Sequence, residues 1–195
     1  MRFPGILRGT GLTLVAQTAT IYNFEIELSH VDRGVYESLS LRVACQPSET
    51  PEYLLTRVLA YCLEFTEGIA FGKGLAEPNE PALAVRDLTG ALQVWVDVGA
   101  PDAARLHKAS QASPRVVVYT HKEPRHVLPQ LIGEGIHRAE SLEFYSLNRD
   151  MIAELAARLT RRLSFALSVS DQHLYLTVGE DTFSGAVERH SLAPG

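Results

Sequence analysis

"LQVWVDVGAPDAARLHKAS", Leu92–Ser110, is the stretch whose reading decides the fold. Leu92, Val94, Val96 and Val98 share one face of an extended chain, and Gln93, Trp95 and Asp97 share the other. Apolar residues on both faces mark a strand that is covered on both sides. Gly99 and Pro101 then interrupt it, and Pro101 is expected to start a short helix carrying Arg105 and Lys108. "RVVVYT" (Arg115–Thr120) follows as a second buried strand. Asp97 therefore ends a core strand, where an ionised carboxylate needs a cationic partner, a metal ion or exposure.

Outward from this unit the pattern alternates. "TIYNFEIELS" (Thr20–Ser29) and "ESLSLRVAC" (Glu37–Cys45) have a period of two and flank a turn around Gly34, so they are expected to pair as an antiparallel hairpin. "PSETPEYLLTRVLAYCLEF" changes to helical spacing at Leu54, Leu55, Val58, Leu59, Cys62 and Leu63. Ser48 or Thr50 can cap that helix, and Pro51 suits its first turn. "GLAEPNEPA" reads as a loop. "ALAVRDLTGALQVWVDVG" reads as two strands around Thr89-Gly90. Pro129 breaks "EPRHVLPQLIGE" into helical pieces. "SLEFYSL" is strand-like, Asn148 caps the helix "NRDMIAELAARLTRR", and "LSFALSVS" with "HLYLTVG" forms a closing hairpin. The class is α/β (α+β): a mixed central sheet with flanking helices and antiparallel hairpins at both ends. The expected organisation is a disordered leader at 1–18, one domain at 19–180 and a frayed tail at 181–195.

The totals narrow the function. A chain of 195 residues is long enough for one well-packed domain. A net charge of -5 supplies no global basic field, so any nucleic-acid contact must rest on a local patch or on metal ions. Cys45 and Cys62 make no metal-ligand spacing and point to reduced thiols in the cytoplasm. No apolar run is long enough to span a bilayer. The opening "MRFPGILRGTGLTLVAQTA" only imitates a signal peptide, because glycines and threonines break its apolar patch. The phosphate-cradling, dinucleotide, nucleophile-elbow and zinc-protease signatures are all missing. His121 and His126 share a basic loop with Lys122 and Arg125, a pattern usual for a solvated surface.

Two roles remain open for the acids. Asp97 and Asp87, if the strands bring them together, could hold a hard cation such as magnesium, with Lys108 and Arg105 on one helix face holding substrate. The structural alternative pairs Asp97 with Arg105 or Lys108 and leaves Asp87 as a turn acid. Glu49 is equally readable as an acid near a helix start.

The runs "TATIYNFEIEL", "DRGVYESLSLRVACQPSETPEYLLTRVLAYCLEF" and "WVDVGAPDAARLHKA" resemble the YaeQ family of bacterial proteins from about Ala19 onward. The resemblance implies a variant of the restriction-endonuclease-like, PD-(D/E)XK architecture. It implies Glu49, Asp87 and Asp97 as ligands of Mg2+ or Mn2+, Lys108 as the fourth catalytic residue and Arg105 on substrate phosphate. Gly99 stands where a typical member has the site lysine, and Lys108 is expected to replace that lysine from the next helix. Two functions follow: a metal-dependent nuclease-like protein, or a non-catalytic regulatory protein on a modified nuclease fold. The implied partners are nucleic acid or a transcription-related protein, with no membrane.

Overall fold

The computed structural model describes residues 18–73, 77 and 79–192. The leader expected at 1–18 lies outside them except for Thr18. Strands β1 (Thr20–His30) and β2 (Val35–Cys45) pair antiparallel along their whole length, from Thr20↔Cys45 to His30↔Val35. Between them a short 3-10 turn, Val31–Arg33, ends at Gly34, whose φ of 64° is the left-handed conformation that glycine adopts without strain. Phe24, Ile26 and Leu28 are buried on one face of β1, as its alternation requires.

Ten strands form one barrel-like sheet among the described residues. The others are β3 (Ile69–Phe71), β4 (Leu83–Arg86), β5 (Leu92–Val98), β6 (Arg115–Thr120), β7 (Glu143–Leu147), β8 (Arg162–Ser170), β9 (His173–Val178) and β10 (Asp181–His190), in the spatial order β2-β1-β8-β9-β10-β7-β6-β5-β4-β3. The β1–β8, β5–β6 and β6–β7 pairs are parallel and the rest antiparallel, so the sheet is mixed as expected.

Most of the segment expected to be a frayed tail, residues 181–190, is instead an integral strand. Residues 181–186 of β10 pair with β9, and residues 187–190 pair with β7. One strand therefore joins the two halves of the sheet. Its sequence, "DTFSGAVERH", is short of large apolar residues because helix α4 (Arg149–Ala157) begins directly above it. A Cβ on Gly185 would lie 2.4 Å from Asn148 Cβ, so only glycine fits.

Helix α1 (Pro51–Leu63) is capped by Thr50, whose hydroxyl accepts from Tyr53 N at 3.2 Å, with Pro51 in the first turn. The helical spacing anticipated one apolar face, but the helix lies on the inner face of the sheet with nine residues buried, Thr56 and Arg57 included. The inner core joins α1, Met151, Ile152 and Leu155 of α4, and strand residues such as Phe24, Val96, Val117 and Leu174. A second core on the other side packs α2 (Ala103–Ala112) against Trp95, Val116, Val118 and Phe144, with Val127 of α3 (Pro124–Val127). Strands β5 and β6 are thus covered on both faces, which explains their unbroken apolar character. Pro101 does not enter α2; Asp102 caps it by accepting from Arg105 N at 2.8 Å. No described helix is long and apolar enough to cross a membrane.

Candidate functional site

Parallel strands β5 and β6 end side by side, with Val98 opposite Tyr119, and the N-termini of α1 and α2 meet them there. The crevice outside the carboxyl ends of parallel strands is where α/β sheets most often bind ligands. Here it has a volume of about 430 Å³ and is lined by Ser48, Thr50, Tyr53, Asp97, Gly99, Ala100, Asp102, Arg105, His121 and Lys122.

Asp97, 1% exposed, has Arg105 as its partner: Nε donates to Oδ2 at 2.8 Å and Nη2 to Oδ1 at 2.7 Å. This paired geometry is the strongest form of a carboxylate–guanidinium contact. Arg105 is fixed further by donation from Nη2 to the Glu80 carbonyl at 2.7 Å and by the Trp95 ring, 5.6 Å from its guanidinium carbon.

Gly99 holds a φ of 87°, and a Cβ there would stand 3.3 Å from the Tyr53 ring. Backbone and neighbour together disfavour a lysine at this position. Lys108 does not take over its place: its ammonium donates to Asn79 Oδ1 at 2.6 Å on the surface, and it does not line the crevice.

Glu49 lies just before α1 but turns inward. Arg57 Nη1 donates to Oε1 at 3.2 Å, and Gln46 N donates to Oε2 at 3.2 Å; the two charged side chains are 1% and 0% exposed. Arg57 also donates to the Ala44 carbonyl. Buried charges persist when paired and hydrogen-bonded in this way.

Asp87 is elsewhere. Its Oδ1 accepts from Thr89 Oγ1 at 2.6 Å, Thr89 N at 2.9 Å and Ala91 N at 3.0 Å, while Gln93 Nε2 reaches Oδ2 at 2.7 Å. These bonds, the Thr89 hydroxyl foremost, hold its carboxyl below the ordinary range. Gln93 precedes Asp97 by four residues, so about 13 Å of strand separates the two acids. The structure thus brings Asp97 and Arg105 together and leaves Glu49, Asp87 and Lys108 outside the crevice lining. Among the described residues no group of three or more His, Cys, Asp or Glu side chains is placed to hold a metal ion. The donor set for magnesium does not assemble in this arrangement.

Beside Asp97 and Arg105 the crevice is lined by Tyr53, His121 and Lys122, none of which the sequence pattern marked as site residues. Tyr53 is half-buried, and the charges of Glu49, Arg57, Asp97 and Arg105 all act on it. Its phenol is pushed up to about 12 by burial first, with the two carboxylates adding to the rise and the two arginines opposing it. His121 is 6% exposed, and burial, helped by the Lys122 charge, pulls its pKa down to about 4. Its tautomer follows from Thr56. The Thr56 hydroxyl donates its one proton to the Glu52 carbonyl at 2.7 Å, so at 3.2 Å it can only accept from His121 Nδ1. Nε2 is then a bare acceptor, buried and without a partner. The signal that could have found His121 is that β6, like β5, is an apolar strand running directly into a polar side chain. Lys122 adds an exposed ammonium at the rim.

The comparisons with known proteins agree with one another. Residues 15–187 match the family model "YaeQ protein". The "Uncharacterized protein YaeQ" of Escherichia coli K12 is 26% identical over 164 residues, covering 84% of this chain and 91% of that protein. The crystal structure of YaeQ protein from Pseudomonas syringae superposes with a TM-score of 0.83 at 30% identity, over 89% of this chain and 97% of that one. That from Xanthomonas axonopodis pv. citri gives 0.76 at 30% identity, over 91% and 100%. With a family model spanning most of its length and two solved relatives sharing its architecture, this chain belongs to the YaeQ family.

Proposed function

We propose that this chain is a non-catalytic nucleic-acid-binding protein, its sheet a variant of the restriction-endonuclease-like architecture, whose crevice takes a backbone phosphate. The carrying observation is the two-point Asp97–Arg105 pair. It cancels the charge a divalent ion would otherwise have to neutralise and turns the would-be metal carboxylate into a positioning group for a guanidinium. Around it stand the positive ends of α1 and α2, the hydroxyls of Ser48, Thr50 and Tyr53, and the Lys122 ammonium, whose charge offsets the Asp102 carboxylate capping α2; together they suit an oxyanion.

Fluorescence anisotropy with labelled DNA and RNA 20-mers tests this reading. The expected result is salt-sensitive binding that needs no divalent ion, weakened several-fold by Lys122→Glu, with the oligonucleotides left intact. Absence of binding at low salt overturns it.

One observation favours the hydrolytic reading: the Glu49 and Asp97 carboxylates both lie near enough to Tyr53 to push its phenol up. In that reading Arg57 and Arg105 give way to Mg2+ or Mn2+, held by Glu49 and Asp97, and the ion activates water. Its expected signature is thermal stabilisation by either ion and oligonucleotide cleavage, both lost in Asp97→Asn.

A further inference from the structure

Helix α1 ends in a second cavity, of about 360 Å³, at the opposite end from the crevice. Its wall holds a closed network. Arg115 donates from Nη1 to Glu64 Oε2 at 2.6 Å, from Nε to Glu143 Oε1 at 2.7 Å, and from Nη2 to the remaining oxygen of each acid at 3.2 and 2.9 Å. The Tyr119 hydroxyl donates to Glu64 at 2.8 Å and the Tyr145 hydroxyl to Glu143 at 3.1 Å. Four of the five N–H donors of Arg115 and both tyrosine hydroxyls are thereby directed at the two acids. One guanidinium balances two carboxylates, so these groups carry one net negative charge, which Arg189 partly offsets at Glu143.

His30 supplies the independent observation. It lines the same cavity, is 6% exposed, and its Nδ1 is buried with no hydrogen-bond partner. Burial first, and then Arg33, hold its pKa below the ordinary value, so the ring is neutral near pH 7. A neutral imidazole can carry its proton on either nitrogen, and an ammonium donor selects the form in which Nδ1 accepts. A buried polar atom left unpaired is costly, and a ligand that supplies its partner recovers that cost. The Tyr119 and Tyr145 rings stack at 5.3 Å beside these acceptors and offer the electron-rich faces that attract cations. Asp32 and Arg33, also at the cavity, cancel one another, and Arg33 is occupied with the Leu63 and Phe65 carbonyls. The C-terminal end of α1 adds partial negative charge.

Donors largely spent, acceptors left over, aromatic faces and a negative excess specify one ligand chemistry. We propose that this cavity binds a small amine, whose primary ammonium group donates to His30 Nδ1 and to the Glu64 carboxylate and lies against the tyrosine rings. The site is independent of the phosphate crevice.

Isothermal titration of the full chain with 1,4-diaminobutane tests the proposal, with 1,4-butanediol and acetate as size and charge controls. N-acetyl-lysine amide, as a further arm, distinguishes a free amine from a lysine side chain presented by a protein. The expected result is one-to-one binding of an ammonium compound and of neither control, weakened tenfold or more in Glu64→Gln and in His30→Phe. Circular dichroism checks the fold of each variant. His30→Phe leaves the Arg115 network intact and decides alone if Glu64→Gln does not fold. No amine binding to the wild-type protein, diol binding of equal strength, or an affinity unchanged in His30→Phe overturns the proposal.

Discussion

At the start of α1 each buried acid has an arginine of its own, Arg57 for Glu49 and Arg105 for Asp97; at its end Glu64 and Glu143 share the single guanidinium of Arg115. Private pairs leave the crevice electrically balanced, and the helix N-termini then tip it towards anions. The shared arginine leaves a negative excess where the helix dipole is also negative. Total charge, -5 for the chain, describes neither end. Local pairing sets what each can bind.

The largest effect should come from breaking a private pair. Arg57→Leu strands Glu49 with a fully buried carboxylate and is expected to cost about 3–5 kcal/mol in urea unfolding. The double variant Glu49→Gln/Arg57→Leu should recover much of that loss; recovery of nothing would mean that Arg57 matters for packing alone. Arg105→Met is expected to cost about 3 kcal/mol and Arg115→Met about 2 kcal/mol, because Asp97 is cut off from water while Glu143 reaches it. Equal losses would erase the contrast between the two ends.

Gly99→Ala sharpens the account of the crevice floor. A left-handed backbone and the Tyr53 ring together should make it about 1–2 kcal/mol less stable, read from the same unfolding curves.

A pH effect separates His121 from the surface histidine it resembles in sequence. Its folded pKa of about 4 lies below the ordinary 6.5, so in the intervening window the unfolded chain binds the proton and the folded chain does not. Its contribution to stability should therefore fall as pH drops from 6.5 to 4 and level off below. The slope is at most about 1.4 kcal/mol per pH unit, less what solvent screening removes. His121→Gln should flatten this part of the stability profile. The smallest effect is expected at Asp87, on an exposed turn. Asp87→Ala should lower stability only slightly, through lost turn hydrogen bonds, and leave nucleic-acid binding unchanged in the anisotropy assay.

Much of the fold could be read from residue order because it is written in local periodicity. The β1–β2 alternation, the helical spacing of α1, the Asn148 cap and the break at Pro129 all appear where those patterns place them. Strand β10 escaped because its sequence answers to a neighbour: Gly185 is dictated by Asn148 above it, and no alternation records that contact. The candidate site divides in the same way. Asp97 and Arg105 stand eight residues apart across one strand–helix turn, and their partnership was already among the alternatives that the spacing allowed.

The sequence by itself determined most of the elements, the caps of α1 and α4, the doubly covered character of β5 and β6, and the need of Asp97 for a partner, since each depends on residues within a few turns of one another. Only the tertiary structure decided which partner that was, that Glu49 faces Arg57 and Asp87 faces its own turn, and that His121 and Lys122 line the crevice. Those outcomes depend on which strand ends and helix starts meet in space, and a side chain's direction in a packed interior is set by neighbours far away along the chain.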